Sequence, residues 1–314
     1  MIPIEEIRAA RERLAGRVLR TPLVRLDVPE QSGTIYLKLE NLQPIGSFKL
    51  RGALNAVLQT DPQELRLGVV TASAGNMGQG VAWAARELGL PCTVVVPEHA
   101  PETKLAAIER LGGSVLKVPY ERWWQAISES SFPEVEGVFV HPVQDERVMA
   151  GNGTIGLEIL EDLPDPDRVV VPFGGGGLSV GIASAIKAVR PATGVYAVEP
   201  ETGAPLTAAL ERGEARPVEY RVSFVDGSGA PELLPAMWSH AHGLLDGAFA
   251  VSLDGTAAAV RFLVERARVV AEGAGALSLA AALEHRWDEK VVCVVSGGNI
   301  DASKLTQILA GTTP

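Results

Sequence analysis

Short runs of apolar, often β-branched residues recur along the chain, and glycine or proline bounds each of them. The runs are TIYLKLE, LGVVTAS, CTVVVPE, GSVLKVP, VEGVFVHP, RVVVPFGGGG, TGVYAVEP and KVVCVVSGG. Between most of them lie alanine-rich stretches with helical spacing, at 80–88, 103–111, 178–189 and 256–268. Strands that alternate with helices in this way predict βαβ units and mainly parallel sheets.

Length and charge narrow the class of protein. The 314 residues, 46% of them hydrophobic, suffice for two domains. A net charge of −10 argues against nucleic acid or an anionic membrane as the main partner. The start of the chain is charged and helical in period, and no apolar stretch approaches the roughly 20 residues that span a bilayer. We therefore expect a cytoplasmic protein without a membrane segment.

The cysteines and histidines suggest no metal chemistry. Cys92 and Cys293 lie inside apolar runs typical of buried strands, which excludes a disulfide framework or a thiolate metal cluster. The histidines form no spaced ligand set with acidic or thiol partners, so each is interpreted as surface or structural. They are His99, His141, His240, His242 and His285. The irregular segment 212–228 is interpreted as a surface connection.

Four loops that follow predicted strands are rich in glycine, serine and asparagine: PIGSFK, SAGN, FGGGG and SGGN. Ligands of open parallel sheets bind at the carboxyl ends of the strands, so these loops are predicted to converge on one ligand. FGGGG precedes a helix, and four missing Cβ atoms let main-chain N–H groups approach an anion at the helix N-terminus. The pattern is neither a nucleotide-triphosphate loop nor a dinucleotide fingerprint, which favours a bound monophosphate.

Lysine is scarce, and Lys49 alone lies in a Gly-Ser-Phe-Lys turn rather than on an evident solvated face. A lysine nucleophile must be deprotonated, and burial favours the neutral amine. By itself Lys49 would more often be a surface cation, and the SAGN loop would as often be a simple helix cap. The presence of a phosphate-binding loop favours a functional role for Lys49.

Taken in order, KLENLQPIGSFKLRGA, TASAGNMGQGVA, AGNGTIGLEIL, PFGGGGL, VEPE and SGGN resemble the fold-type II pyridoxal-phosphate (PLP) enzymes. The similarity is greatest to threonine/serine dehydratases and serine racemase, and it covers residues 21–299. It implies a tryptophan-synthase-β-like α/β fold with two domains, parallel-type sheets flanked by helices, and PLP in the cleft. The large domain would comprise 1–49 and 145–314, and the small mobile domain 50–144.

The resemblance also implies roles for individual side chains. Lys49 would hold PLP as a Schiff base and, once released by the substrate, take the Cα proton. Phe48 would pack beside the cofactor ring, and Asn76 would hydrogen-bond the ring hydroxyl. Ser296 would face the pyridine nitrogen, where a neutral hydroxyl makes the ring a weaker electron sink than a carboxylate would. That favours prompt β-elimination, giving a 2-keto acid and ammonia.

Two loops complete the site that the resemblance implies. The cofactor phosphate would be cradled by Gly174, Gly175, Gly176, Gly177 and Leu178. The substrate carboxylate would be bound by Ser73, Ala74, Gly75 and Asn76. Racemases of this family carry serine at the position of Ala74 as a second base, so alanine there favours elimination over racemisation.

Several positions depart from the family pattern. Met77 replaces a usual histidine, and EGAG at Glu272–Gly275 replaces Glu-Pro-Thr-Gly. The divalent-cation site of relatives would use Glu199, the Gly203 carbonyl and an acidic residue where this chain has Pro205, which puts metal activation in doubt. No room is left for a carboxy-terminal regulatory domain, so no feedback by isoleucine is expected.

The leading hypothesis is thus a PLP-dependent ammonia-lyase acting on a small β-hydroxy amino acid such as L-threonine or L-serine. An amino-acid racemase or a β-replacement synthase on the same scaffold is the alternative among enzymes. A PLP-binding protein without useful catalysis is a third hypothesis. Relatives of this kind are usually homodimers, so a homodimer is expected.

Overall fold

A computed structural model describes residues 1–28 and 33–314 of the chain. The helices are α1 (Ile4–Leu14), α2 (Lys49–Leu58), α3 (Asn76–Leu88), α4 (Glu102–Arg110), α5 (Tyr120–Glu129), α6 (Glu146–Asp162), α7 (Gly177–Val189), α8 (Pro205–Arg212), α9 (Pro235–Ala241), α10 (Leu253–Phe262), α11 (Gly273–His285) and α12 (Ala302–Leu309). The strands are β1 (Leu23–Leu26), β2 (Thr34–Leu39), β3 (Val69–Ala72), β4 (Cys92–Pro97), β5 (Ser114–Val118), β6 (Val138–Phe139), β7 (Arg168–Pro172), β8 (Gly194–Pro200), β9 (Gly247–Val251) and β10 (Lys290–Val295). Short 3₁₀ turns lie at Glu40–Leu42 and Glu64–Leu67, and a π-helical turn, Leu263–Ala267, follows α10.

The described chain divides into two compact units. The first comprises Met1–Ile4, Leu19–Phe48 and Gly153–Pro314, and the second comprises Glu5–Val18 and Lys49–Asn152. The sequence predicted a small mobile domain with boundaries at 49/50 and 144/145. These boundaries and the mobility of that domain stay a prediction. Residues 29–32 of the predicted large domain lie outside the described residues. No helix within the described residues is long and apolar enough to cross a membrane.

The first unit is built on a sheet with the strand order β1-β2-β10-β7-β8-β9. Every neighbouring pair is parallel except β1 and β2, which are antiparallel. Helix α11 is buried along most of its length, because small residues such as Ala276, Ala281 and Ala282 let it approach the sheet closely. The parallel order brings the loops that follow β2, β10, β7, β8 and β9 to one edge of this sheet.

The second unit contains a parallel sheet with the order β5-β4-β3-β6. Helix α5 connects strands at opposite edges of this sheet, so it must cross one face. Trp123 and Trp124 of α5 pack there against a core that includes Val70, Ala72 and Val95. The loops after β3, β4, β5 and β6 share the carboxyl edge, which is where the SAGN loop begins. The expected α/β fold with mainly parallel sheets is confirmed.

Both cysteines lie in strands, as predicted. Cys92 in β4 and Cys293 in β10 are buried free thiols. Burial raises the pKa of Cys92 to about 12 and that of Cys293 as well, so neither is a thiolate near neutral pH.

A buried ion pair lies beneath the segment that leads to the PIGSFK loop. Lys38 at the end of β2 is fully buried, and its Nζ donates to Glu158 Oε2 and to the Thr21 carbonyl, both at 2.6 Å. Thr21 Oγ1 in turn donates to Glu40 Oε1 at 2.5 Å. An ammonium buried to this degree is tolerated only because its protons are taken by acceptors.

We predict that Lys38→Met lowers the free energy of unfolding by about 3–5 kcal/mol, because it leaves the Glu158 carboxylate without its buried cation. The double variant Lys38→Met/Glu158→Leu, which removes both charges, should recover most of the loss. Denaturant unfolding of the three proteins measures this. Equal stability of the single and double variants would contradict the account.

Candidate functional site

The PIGSFK loop is fastened to the SGGN loop by the main chain. The N–H of Phe48 donates to the Ser296 carbonyl at 3.0 Å, and the N–H of Gly298 donates to the Gly46 carbonyl at 2.9 Å. Gly46 has φ +72°, and a Cβ there would lie 2.6 Å from Asn299 Oδ1. Glycine is required at this turn by both its backbone conformation and the space available.

The EGAG segment packs against the same loop. The N–H of Glu272 donates to the Gly297 carbonyl at 3.1 Å, and a Cβ on Gly275 would overlap that carbonyl oxygen. A Cβ on Gly297 would in turn overlap Glu272 Oε1. Although EGAG departs from the family pattern, its glutamate and its last glycine hold the SGGN loop in place.

The centre of the junction between the PIGSFK and SGGN loops is polar and buried. Ser296 is 3% exposed, and Ser47 is fully buried beside Gly297, with which it forms an isolated bridge. Within the described residues, Ser47 Oγ has no hydrogen-bond partner. A buried hydroxyl without a partner costs about 1–3 kcal/mol, so this arrangement suits a polar ligand that completes it.

The tetraglycine loop joins β7 to α7. Gly176 has φ +94°, a conformation that favours glycine, and a Cβ on Gly174 would lie 3.0 Å from the Gly227 carbonyl oxygen. Ser228 Oγ donates to the Phe173 carbonyl and holds the other side of the loop. The N-cap residue of α7 is Gly176, which has no side chain to cap the helix. The N–H groups of its first turn therefore suit an anion such as a phosphate ester.

The sequence interpretation of segment 212–228 was wrong at its end. Phe224, Val225 and Ser228 are buried, and residues 227–228 support the tetraglycine loop. The signal that was missed is the apolar pair Phe224–Val225 next to Gly227, which is typical of a chain that enters a core and turns within it.

Lys49 is the first residue of α2, so the turn that was predicted for it ends one residue earlier. It is half-buried, and its Nζ donates to the Pro142 carbonyl at 3.0 Å. A Cβ on Gly80 would lie 3.2 Å from the Lys49 carbonyl oxygen, so the first turns of α3 and α2 are close neighbours. The second unit thus brings Lys49 near the helix that the SAGN loop opens.

The SAGN loop does not act as a side-chain cap. Helix α3 begins at Asn76 with Gly75 as its N-cap, and no side chain there accepts a hydrogen bond from the helix. Ser73 Oγ accepts instead from the Gly75 N–H at 3.2 Å, outside the helix. The loop therefore supplies the N-cap residue of α3 without a capping side chain at Gly75, and whether it also binds an anionic group such as a carboxylate stays a prediction.

At the positions where the resemblance implies a cation site, the polar groups already take part in hydrogen bonds. Both carboxylate oxygens of Glu199 accept hydrogen bonds from the start of α8: Oε1 from the Leu206 N–H at 3.0 Å, Oε2 from the Thr207 N–H at 2.7 Å and its Oγ1 at 2.8 Å. The Gly203 carbonyl accepts from the Ala230 N–H. Pro205 offers no ligand atom in its side chain. Across residues 1–28 and 33–314, no cluster of three or more His, Cys, Asp or Glu side chains could hold a metal.

Comparison with known proteins identifies the family. Residues 14–297 match the family described as pyridoxal-phosphate dependent enzyme. L-threonine ammonia-lyase of Thermotoga maritima is 42% identical over 98% of this chain and 78% of its own. The solved structure of a threonine deaminase from T.th. has a TM-score of 0.88 and 35% identity, covering 95% of this chain and 98% of that one. Serine racemase from Dictyostelium discoideum has a TM-score of 0.88 and 32% identity, covering 96% and 99%.

The chain therefore belongs to the pyridoxal-phosphate dependent enzymes, and its cofactor is pyridoxal 5′-phosphate. The residues present fit this group, since a glycine cradle at a helix N-terminus, a buried hydroxyl without a partner and a half-buried lysine are all available for it. The resemblance inferred from the six ordered motifs is confirmed.

The packing of EGAG predicts a strong effect of a single methyl group. We expect Gly275→Ala to lower the free energy of unfolding by about 1–3 kcal/mol, because the new Cβ meets main-chain atoms that cannot move aside cheaply. The matched control is Gly75→Ala, where nothing lies within 4 Å of the new Cβ. We expect it to change stability by less than about 0.5 kcal/mol. Thermal or denaturant unfolding compares the two.

Glu199 predicts a pH dependence of stability. Burial raises the pKa of Glu199 to about 7, from 4.5, against the opposing hydrogen bonds of Thr207 and Leu206. Since the folded pKa exceeds the unfolded value, the folded state binds more protons between these values and stability falls as pH rises through them. The loss is at most roughly 3 kcal/mol. Glu199→Gln should lack this fall, which unfolding measured between pH 4.5 and 8 will show.

Proposed function

We propose that this enzyme catalyses the β-elimination of a small β-hydroxy amino acid, such as L-threonine or L-serine, to a 2-keto acid and ammonia. The observation that carries the proposal is the placement of Lys49, whose half-buried amine donates to a main-chain carbonyl at the start of α2. Relatives named L-threonine ammonia-lyase and L-threonine dehydratase support the choice of reaction. Structures titled serine racemase support the alternative.

We assign the proton transfer to Lys49. The cofactor, when bound, withdraws electrons from the substrate Cα and so makes its proton acidic. Lys49 Nζ, as the neutral amine, accepts that proton, and the partial burial of its side chain limits competition from water. Phe48 precedes it in a fixed position because its N–H is bonded to the Ser296 carbonyl.

The remaining roles are those that the resemblance implies, and the two helix ends support two of them. The N–H groups of the loop Gly174–Gly177 and of Leu178 bind the phosphate, and those of the loop Ser73–Asn76 bind the substrate carboxylate. Asn76 would hold the ring hydroxyl of the cofactor. Ser296 would face the ring nitrogen with a neutral hydroxyl, which would keep electron withdrawal moderate and favour loss of the β-hydroxyl.

Ala74 separates elimination from racemisation. Reprotonation of Cα on the face opposite Lys49 needs a second acid, and a methyl side chain carries none. The departures at Met77, which is fully buried, and at Glu272–Gly275 affect packing and leave Lys49 and the helix ends intact. They therefore do not favour a PLP-binding protein without catalysis.

We also propose a homodimer located in the cytoplasm. The mass of the holoenzyme in solution, measured by light scattering, tests the dimer: twice the mass of one chain supports it, and the mass of one chain overturns it.

We predict that Lys49→Ala lowers the release of keto acid from L-threonine and L-serine by at least about 10²–10⁴-fold, the range typical of a lost general base. The matched control is Lys117→Ala, which removes an exposed lysine of the same unit that is paired with Glu102. Its activity should equal that of the unmodified enzyme. Full activity of Lys49→Ala would refute the assignment.

A product analysis separates the alternatives. Incubation with L-serine should give pyruvate and ammonia without D-serine, and Ala74→Ser should raise the ratio of D-serine to pyruvate. D-serine as the main product of the unmodified enzyme would establish the racemase alternative. Formation of a thiol adduct on adding a thiol, without pyruvate, would establish a β-replacement synthase. Bound cofactor without turnover of any β-hydroxy amino acid would establish the non-catalytic protein.

A further inference from the structure

His141 lies directly beyond β6 and connects three parts of the second unit. It is 4% exposed. Its Nε2 lies 3.0 Å from the Ile127 carbonyl oxygen in α5, and its Nδ1 accepts from the N–H groups of Val143 at 3.0 Å and Gln144 at 2.8 Å. The sequence interpretation of His141 as surface or structural did not foresee these contacts, because main-chain partners leave no residue signature.

These partners define the protonation state of the ring. Two N–H groups point at Nδ1, so that nitrogen must carry a lone pair, while Nε2 faces a carbonyl and must carry the proton. Burial lowers the pKa of His141, as does the nearby Lys49 charge, against the Ile127 hydrogen bond and the charge of Asp145. Protonation of Nδ1 would set an N–H against two others and break the turn.

The turn that His141 closes contains the acceptor of the Lys49 amine. Pro142 lies between the histidine and the two N–H groups that the ring binds, and its carbonyl accepts from Lys49 Nζ at 3.0 Å. The direction of that carbonyl is fixed by the peptide planes on either side of it. The ring of His141 therefore closes the turn that carries this acceptor.

We propose that His141 is a positioning residue for Lys49: by closing the turn 141–144 it aims the Pro142 carbonyl at the amine and holds the amine whenever it is not bonded to the cofactor. The proposal rests on the proposed role of Lys49. It adds His141, which has no role in the proposed function. A neutral amine that donates to this carbonyl keeps its lone pair directed away from it. The contact thus orients the nitrogen as well as retaining it.

Two substitutions divide the functions of the ring. His141→Asn retains an acceptor for the N–H two residues on, as asparagine does in Asx turns, and loses the bond to Ile127. His141→Gln retains a donor that can reach the Ile127 carbonyl and loses the closed turn. Each variant gives up part of the hydrogen bonding of a buried ring, so a purely structural role predicts similar effects of both.

The readout is the reactivity of Lys49 in the full-length protein freed of cofactor, measured by brief acetylation and mass spectrometry. Lys117 in the same digest gives an internal reference. We expect His141→Gln to raise the ratio of Lys49 to Lys117 acetylation by up to about tenfold, as for loss of one hydrogen bond. His141→Asn should stay within about twofold of the unmodified protein, because the turn persists.

The holoenzyme supplies a second readout. Misplacement of a catalytic group by about 1 Å can cost on the order of 100-fold, so kcat of His141→Gln should fall by about 10- to 100-fold with KM nearly unchanged. His141→Asn should recover most of kcat. If elimination is absent but the acetylation result holds, the proposed function fails and the positioning role stands.

A third measurement does not depend on the folding of His141→Gln. In the unmodified protein the Lys49-to-Lys117 ratio should rise as pH falls through the pKa of His141, because protonation of the ring opens the turn and releases the Lys49 amine. In His141→Asn the ratio should not change over this range. Equal ratios for the three proteins, or a pH response that persists in His141→Asn, would overturn the proposal.

Discussion

The position of one amine depends on main-chain hydrogen bonds on either side of it. The N–H of Phe48 is bonded to the Ser296 carbonyl, which fixes the end of the PIGSFK loop. Lys49 follows at once as the first residue of α2, and its Nζ is bonded to the Pro142 carbonyl. Peptide groups are rigid and planar, so such contacts define direction as well as distance. The main-chain contacts thus define the direction of the chain on both sides of the Lys49 backbone and the acceptor of its amine.

Glycine provides the close approach that this arrangement needs. The PIGSFK, EGAG and SGGN segments meet where Gly46, Gly275 and Gly297 leave no space for a Cβ. The tetraglycine loop has the same property at Gly174, against a carbonyl of the segment 224–229. A chain with many glycines is costly to order, and here the cost is offset by packing of main chain against main chain.

The sequence predicted the larger elements and the chemistry of the loops, since both depend on local patterns. It did not reveal β1 and β9, because the short run LVRL and the half-exposed run GAFAV lie at the edges of the sheet and lack an apolar, β-branched signature. The helix predicted for 256–268 ends its α-helical part at Phe262 and continues as a π-helical turn. Contacts such as Phe48 with Ser296 join residues far apart in the chain and leave no local trace.

Departures from the family pattern have distinct physical meanings. Pro205 stands where the resemblance implies an acidic residue, and beside it the Glu199 carboxylate accepts hydrogen bonds from the N–H groups of α8. Gly273 and Ala274 depart within EGAG, yet the N–H of Glu272 still donates to the SGGN loop. The first departure removes a side-chain oxygen, and the second leaves the main-chain packing in place. A sequence comparison cannot distinguish these two departures, because hydrogen-bond partners can be assigned only once the fold is known.

The most direct measurement of the central claim is the site of covalent attachment of the cofactor. Reduction of the holoenzyme with borohydride fixes the cofactor to the lysine that carries it, and peptide mass spectrometry then identifies that residue among the seven lysines of the chain. The account predicts the phosphopyridoxyl group on Lys49. Its attachment to any other lysine, with Lys49 unmodified, would contradict the account.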